Sequence, residues 1–463
     1  MVAAGIEIRA QHTVNGLMPE VGEHLPPGGF LPQVNPPRVE FGAKTRSWSA
    51  VKVGAVPMMP SGKRVYFGRM STSALSAFAP EPASLFNSSP NPAPARPGRW
   101  PVSILGVPVD AVTSEEALAR IVTMVESRRP HYVVTPNVDF LVQARTNPSL
   151  HRILCQADLV LCDGQPLVWA SHWLGNPLPE RVAGADLAPQ LIEQAARKGH
   201  RIFLLGATPE ANEEACNRLQ ALHPELQLAG HYAPPFSPLA EMDHETIVCR
   251  IRAAEPDILL VSFGCPKQEQ WIAMHYRELE VPVCIGMGAT IDFIAGRVRR
   301  APVWMRRSGL EWSYRLMQEP RRLYRRYGTD VRYFGTALLA QWWSFRGEFT
   351  GEAKGSVSII SSQPPWQHLR ATGAIDRSAL ERAADIWRRV GEGGACDCLL
   401  DLAGVDFIDS TGAAALTVWH RQLQRAGRRL VLFRPKERVR RLLREAGLTQ
   451  FETSDMAESL PAL

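Results

Sequence analysis

At 463 residues, with 45% hydrophobic and 21% charged side chains, the chain is long enough for two or three globular domains with a sizeable core. Its 52 Lys and Arg against 46 Asp and Glu leave a formal charge of +6, too modest for a general nucleic-acid binder, so only local basic patches call for explanation. Eight cysteines without a paired C-x-x-C framework argue against a disulfide scaffold and fit a reducing compartment.

Residues 1–98 are rich in Pro, Gly, Ser and Ala, and their apolar patches keep no period; a disordered extension is expected there. The start of the chain has no basic region followed by an apolar core and a cleavage site, so no signal peptide is expected. No run approaches the roughly 18–20 apolar residues that span a bilayer.

From residue 99 to 296 the texture changes. Five times an apolar strand ends in a small or polar turn and is followed by a helical pattern: "HYVVTPNVDFLVQA", "ADLVLCDGQPLVWA", "RIFLLGATPEANEEA", "DILLVSFGCPKQEQWI" and "VPVCIGMGATIDFIAG". This alternation predicts an α/β fold, a Rossmann-like, mainly parallel sheet with helices on both faces. The turns then gather at the carboxyl ends of the strands, where such sheets bind ligands. Thr135, Asn137, Asp163, Gly206, Thr208, Gln268 and Gly288 all fall on that edge. Glycine turns and helix N-termini there suit a phosphate-bearing ligand. Each signal also has a plainer reading: Thr208 and Pro209 suffice as a helix start, and Asp163-Gly164 as a turn.

Residues 297–350 are dense in arginine. Pro320 should open a new helix, on which Arg321 and Arg325, and Arg322 and Arg326, are four apart and share one side. Trp304, Trp312, Leu316, Leu323 and Tyr327 supply apolar surface, and this mixture suits an anionic membrane face or diphosphate groups. A solvated face over an ordinary core contact remains open, and no RNA-binding motif accompanies the arginines, so no nucleic-acid partner is expected. After residues 351–363, a linker and the first segment of the next unit, residues 364–463 read as a small separate α/β domain. Its strands "CLLDLAGVDFI" and "RRLVLFRP" flank a helix starting at Ser410.

Seven segments of residues 102–330, in order, carry a resemblance to the WecG/TagA/CpsF family of bacterial glycosyltransferases. They are "TPNVDFLVQA", "LCDGQPLVWA", "RVAGADL", "FLLGATPE", "FGCPKQEQWI", "GMGATIDFIAGRVRRAPVWMRRSGLEW" and "RLMQEPRRLYRRY". The resemblance implies inverting transfer of a sugar from a UDP-sugar to a polyprenyl-diphosphate-linked saccharide in cell-surface polysaccharide synthesis, by a cytoplasmic protein peripheral at the inner face of the cell membrane. It implies Asp163 as general base, Thr135 and Asn137 beside it, Arg181 as a diphosphate ligand and Gln268 in the donor-binding loop, while Gly206 and Gly288 count as substrate-binding through their place on the sheet edge. It also implies that the arginine-rich appendage, with Arg321, Arg322, Arg325 and Arg326, meets lipid or diphosphate. No D-x-D pair is present, so no metal is expected, and no cofactor. Which sugar is transferred, among N-acetylmannosamine, its uronic acid and glucose, stays open.

Residues 355–460 resemble a STAS domain, the fold of anti-sigma-factor antagonists, through "VDFIDSTGAAAL". The resemblance aligns Ser410 with a serine phosphorylated in regulatory members, and implies a protein partner or kinase. Ala413 and Ala414 depart from the usual Leu-Gly, and a plain helix cap at Asp409 or Ser410 explains the motif equally. The transferase region is expected to stay active without this module. The competing reading is a STAS-type interaction protein with a catalytically inactive nucleotide-sugar-binding domain. A dinucleotide oxidoreductase lacks its G-x-G-x-x-G turn.

Overall fold

A computed structural model of the protein describes residues 99–345, apart from 299, 308 and 319, together with 355–392 and 396–448. The extension expected over 1–98 lies outside the described residues.

The described chain opens with a hairpin, β1 (Val102–Ile104) and β2 (Val107–Val109), then α1 (Ser114–Glu126), β3 (His131–Val134), α2 (Val138–Thr146), α3 (Pro148–Gln156), β4 (Leu159–Val160), α4 (Gln165–Trp173) and α5 (Gly184–Lys198). There follow β5 (Arg201–Gly206), α6 (Pro209–Leu222), β6 (Gln227–Tyr232), α7 (His244–Ala254), β7 (Ile258–Ser262), α8 (Lys267–His275), β8 (Val283–Gly286) and α9 (Thr290–Ile294). The appendage is α10 (Val303–Arg307), α11 (Glu311–Gln318) and α12 (Pro320–Phe345). Last come β9 (Ser356–Gln363), β10 (Trp366–Ile375), α13 (Arg377–Arg382), α14 (Ala384–Glu392), β11 (Asp397–Ile408), α15 (Ser410–Arg425), β12 (Leu430–Phe433) and α16 (Glu437–Glu445).

Six strands form one parallel sheet in the order β4-β3-β8-β7-β5-β6. Alternate strand residues enter opposite buried clusters: Ile202, Leu204 and Leu260 on one side, Phe203, Leu205 and Leu259 on the other. Burial on both faces is why these strands read as unbroken apolar runs. All five predicted strand-turn-helix units are present. The sequence reading passed over β6, an edge strand whose "QLAGHY" is only half-buried and so carries no apolar run, and the short β1–β2 hairpin.

Helix starts follow local chemistry. Asn137 and Thr208 cap α2 and α6, accepting from the Phe140 and Ala211 N–H groups at 3.4 and 3.2 Å. Pro320 does begin a helix. Phe334 and Leu338 bury one face of α12 in the core, Leu323 on the same face is also buried, and Gln341 fixes its far end, accepting from Leu105 N–H at 2.9 Å and donating to Ser103 O at 2.7 Å.

The second sheet runs β12-β11-β10-β9, with β10, β11 and β12 parallel and β9 antiparallel to β10. Asp409 caps α15, accepting from Gly412 N–H at 2.7 Å. One side of α15, through Ala413, Leu416, Trp419 and Leu423, joins the core of this sheet. The helix also packs on β1, β2 and α3, so the two sheets lie within one compact unit, while residues 351–354 of the expected linker lie outside the described residues.

Candidate active site

β3 and β8 are neighbours although far apart in sequence, which brings the turns after β3, β4 and β8 together. Asp163 N–H donates to Pro136 O at 3.0 Å, and Thr135 Oγ1 donates to Gly286 O at 3.1 Å. A Cβ on Gly164 would stand 3.6 Å from that of Asn137, so Asn137 and Asp163 share one corner. Asn137 is partly exposed there, whereas Thr135 is buried and ties β3 to β8.

Asp163 is half-buried. Burial pushes its carboxyl up to about 7, against the pull of Arg181 and Arg315 and with help from Glu311 and Asp186. A carboxyl that titrates near neutrality at the open edge of a sheet can hold or release a proton at working pH.

Beside it lies a network the sequence reading missed in part. Arg181 donates to Asp186 Oδ2 at 2.7 Å and to Glu311 Oε2 at 3.0 Å, joining the core to the appendage. Arg300 and Arg306 reach Asp186 Oδ1 at 2.7 and 2.9 Å, and Arg315 lies 3.7 Å from Glu311. Burial alone would raise Asp186, but Arg300, Arg181 and Arg306 hold its carboxyl below the usual range. Among the described residues, buried Arg300 Nε and Nη2 and Arg306 Nε have no hydrogen-bond acceptor, although Arg300 Nη2 lies 3.6 Å from Glu311 Oε1. Such orphaned cationic donors are what a diphosphate would satisfy. Asp186, Arg300, Arg306 and Glu311 all stood inside the family-like segments; what was hidden was their pairing, which needs the appendage folded over the sheet edge.

The other predicted residues are placed differently from one another. Gln268 is fully buried: its Oε1 accepts from Gly264 N–H and Gly288 N–H at 3.2 and 3.1 Å, and its Nε2 donates to Glu269 at 2.7 Å. It shapes two turns rather than facing a ligand. Gly206 has φ +102°, and a Cβ there would sit 2.5 Å from Ser262 O, so close backbone approach accounts for it. Around Gly288, at φ +54°, nothing approaches a Cβ within 4 Å. Arg321, Arg325 and Arg326 are exposed on α12, and Arg326 pairs with Asp139 on α2. The side chain of Arg322 lies outside the described residues. Trp304, Trp312, Met317 and Tyr324 are exposed nearby, whereas Leu323 is buried. Ser410 is 1% exposed, and its hydroxyl donates to Leu174 O at 3.1 Å.

Among the described residues no group of three His, Cys, Asp or Glu is arranged to hold a metal ion, and no helix is long and apolar enough to cross a membrane.

Residues 102–348 match the glycosyl transferase WecG/TagA/CpsF family, and residues 367–460 match the STAS domain. Similar proteins include the N-acetylglucosaminyldiphosphoundecaprenol N-acetyl-beta-D-mannosaminyltransferases of Staphylococcus aureus strains MW2 and MRSA252. Each is 33% identical over 224 residues, 48% of this chain and 86% of the relative. A solved structure, the anti-sigma factor antagonist SpoIIAA in its unphosphorylated form, is 21% identical and covers 22% of this chain and 90% of its own, at a TM-score of 0.21.

Proposed function

Because the chain belongs to the WecG/TagA/CpsF family and is a glycosyltransferase, we propose that it moves a sugar from a UDP-sugar to a polyprenyl-diphosphate-linked saccharide, with inversion at the anomeric carbon and Asp163 as general base. The observation that carries this reading is the Asp163 carboxyl, raised to about 7 at the sheet edge beside arginines with unmet donors.

In this mechanism the acceptor hydroxyl gives its proton to the Asp163 carboxylate as its oxygen attacks the anomeric carbon. The bond from that carbon to the UDP oxygen breaks, and the leaving diphosphate keeps the electron pair. Arg300 and Arg306, with Arg181 between Asp186 and Glu311, meet the charge that develops, the part a divalent metal takes where a D-x-D pair holds one. The reaction is accordingly independent of added metal. Asn137 borders the acceptor site, and Thr135, Gly206, Gln268 and Gly288 keep its turns in shape.

The acceptor lies in a membrane, and the exposed Trp304, Trp312, Met317 and Tyr324 beside Arg321 and Arg325 support peripheral docking on an anionic inner face. The STAS unit serves regulation or docking; a kinase or partner acting on Ser410 would first have to part α15 from α4. The experiment is turnover of the full chain with a panel of UDP-sugars and a short-chain prenyl-diphosphate saccharide, starting from UDP-N-acetylmannosamine and an N-acetylglucosamine acceptor, the pair the relatives' name suggests. Product with inverted configuration supports the reading; no product with any donor overturns it.

A further inference from the structure

The stretch that carries Asp163 is held at both ends by one helix of the STAS unit. Before β4, Arg425 Nη2 donates to Gln156 O at 2.8 Å, its Nη1 pairs with the Asp158 carboxylate, and Arg421 Nη1 donates to Ala157 O. After α4, Ser410 Oγ donates to Leu174 O at 3.1 Å. Ser410 begins α15 and Arg425 ends it, so the two ends of α15 meet the two ends of segment 156–174.

These contacts are buried and specific. Asp158 is 1% exposed at its side chain, and besides Arg425 it accepts from His131 Nδ1 at 2.7 Å and Tyr132 N–H at 3.0 Å. Burial would raise its pKa, but Arg425 and His131 hold it well below the usual carboxylate range, so the carboxylate stays charged and ordered. The segment needs such a hold. Among the described strands β4 is a two-residue edge strand paired to β3 alone, with Val160 tied on its other side to Asp110. From Gly164 to Leu174 the chain is one helix of nine residues, about 14 Å long at 1.5 Å per residue, with no side-chain cap at its start. A shift at Leu174 or at Asp158 therefore reaches Asp163 through a short rigid body.

We propose that α15 is a clamp for the transferase, in which Arg425, Arg421 and Ser410 are positioning residues that hold segment 156–174 and thereby set the place of Asp163. The proposal rests on Asp163 being the base. It makes the STAS unit a structural part of the catalytic machinery, and makes its docking the property through which anything that binds α15 would alter turnover.

The test compares the full-length wild type with Arg425→Ala, Arg425→Lys, Ser410→Ala and Asp163→Asn. Displacing a reacting group by about 1 Å costs on the order of 100-fold. Arg425→Ala should lower kcat by between about tenfold and 100-fold, leaving KM for the UDP-sugar near the wild-type value, and Arg425→Lys should recover part of it. Backbone amide exchange over 156–174 should rise in Arg425→Ala and over 165–174 in Ser410→Ala, while the amides of β5 and β7 keep wild-type protection. Unchanged kcat in a folded Arg425→Ala protein overturns the clamp, whether or not exchange rises. Should Arg425→Ala fail to fold, Ser410→Ala decides: no rise in exchange over 165–174 overturns it. If Asp163→Asn turns over like wild type, the base reading fails and with it the link from the clamp to turnover, while amide exchange over 156–174 in Arg425→Ala still shows whether α15 holds the segment.

Discussion

Asp163 takes its character from its surroundings more than from its residue type. A carboxyl near 7 is half-ionised at neutral pH, so kcat/KM should climb with pH through about 7 and level off above it. Asp163→Asn should flatten that rise and lower turnover by about two to four orders of magnitude, the usual contribution of a positioned base. Measured pH–rate profiles of the two proteins check both statements. The same shift has a stability consequence. Between about pH 4, where an unfolded aspartate ionises, and about pH 7, the folded protein keeps a proton that the unfolded chain has released. Stability from this group therefore falls as pH rises through that window. Asp163→Asn removes the fall, so the Tm of the variant relative to wild type should increase from pH 4 to 7 and then stay level.

At the scale of the element, the turns and the appendage respond to different forces. Gly206→Ala places a Cβ 2.5 Å from Ser262 O in a left-handed conformation, so it should cost at least about 1–3 kcal/mol of stability, read by urea denaturation. α12 has two faces with separate duties: Leu323 is buried and Phe334 and Leu338 are in the core, and Arg326 pairs with Asp139, whereas Arg321 and Arg325 are exposed. Changing Arg321 and Arg325 to Glu should therefore spare the fold and release the protein from anionic vesicles, at about 1 kcal/mol per basic residue, with the wild-type binding itself weakening as salt is raised. Co-sedimentation with vesicles measures this. Unchanged binding would assign that face to something other than lipid.

In the whole molecule, the STAS unit is packed against the transferase. Its α15 covers β1, β2 and α3, and takes a buried carboxylate of the transferase as an ion-pair partner. Ending the chain at residue 350 would leave Asp158 without Arg425 and uncover apolar surface, so the shortened protein should have a lower Tm and aggregate more readily than the full chain, in contrast to the independence the sequence suggests. Thermal unfolding and light scattering of the two proteins check it. Activity of the full chain should persist in EDTA, since arginines rather than a bound metal face the diphosphate in the proposed mechanism; loss in EDTA with recovery on adding manganese would contradict it.

What the sequence determined by itself was local or periodic. Apolar runs of strand length, each closed by a turn and followed by a helix, dictate a parallel sheet, and Asp163, Gly206 and Gly288 are assigned to its carboxyl edge by that pattern alone. Caps at Thr208 and Asp409 and the helix start at Pro320 depend on neighbours a few residues away, which is why they could be read directly. The strand β6 could not, because a half-exposed edge carries no apolar signature. Only the tertiary structure decided which charges meet. Arg181 with Glu311, Arg300 and Arg306 with Asp186, and Arg425 with Asp158 join residues between 114 and 267 positions apart, and no spacing in the sequence encodes them. The reason is physical: an ion pair is selected by burial and geometry after the chain has closed on itself, whereas a strand or a cap is selected by the residues that make it.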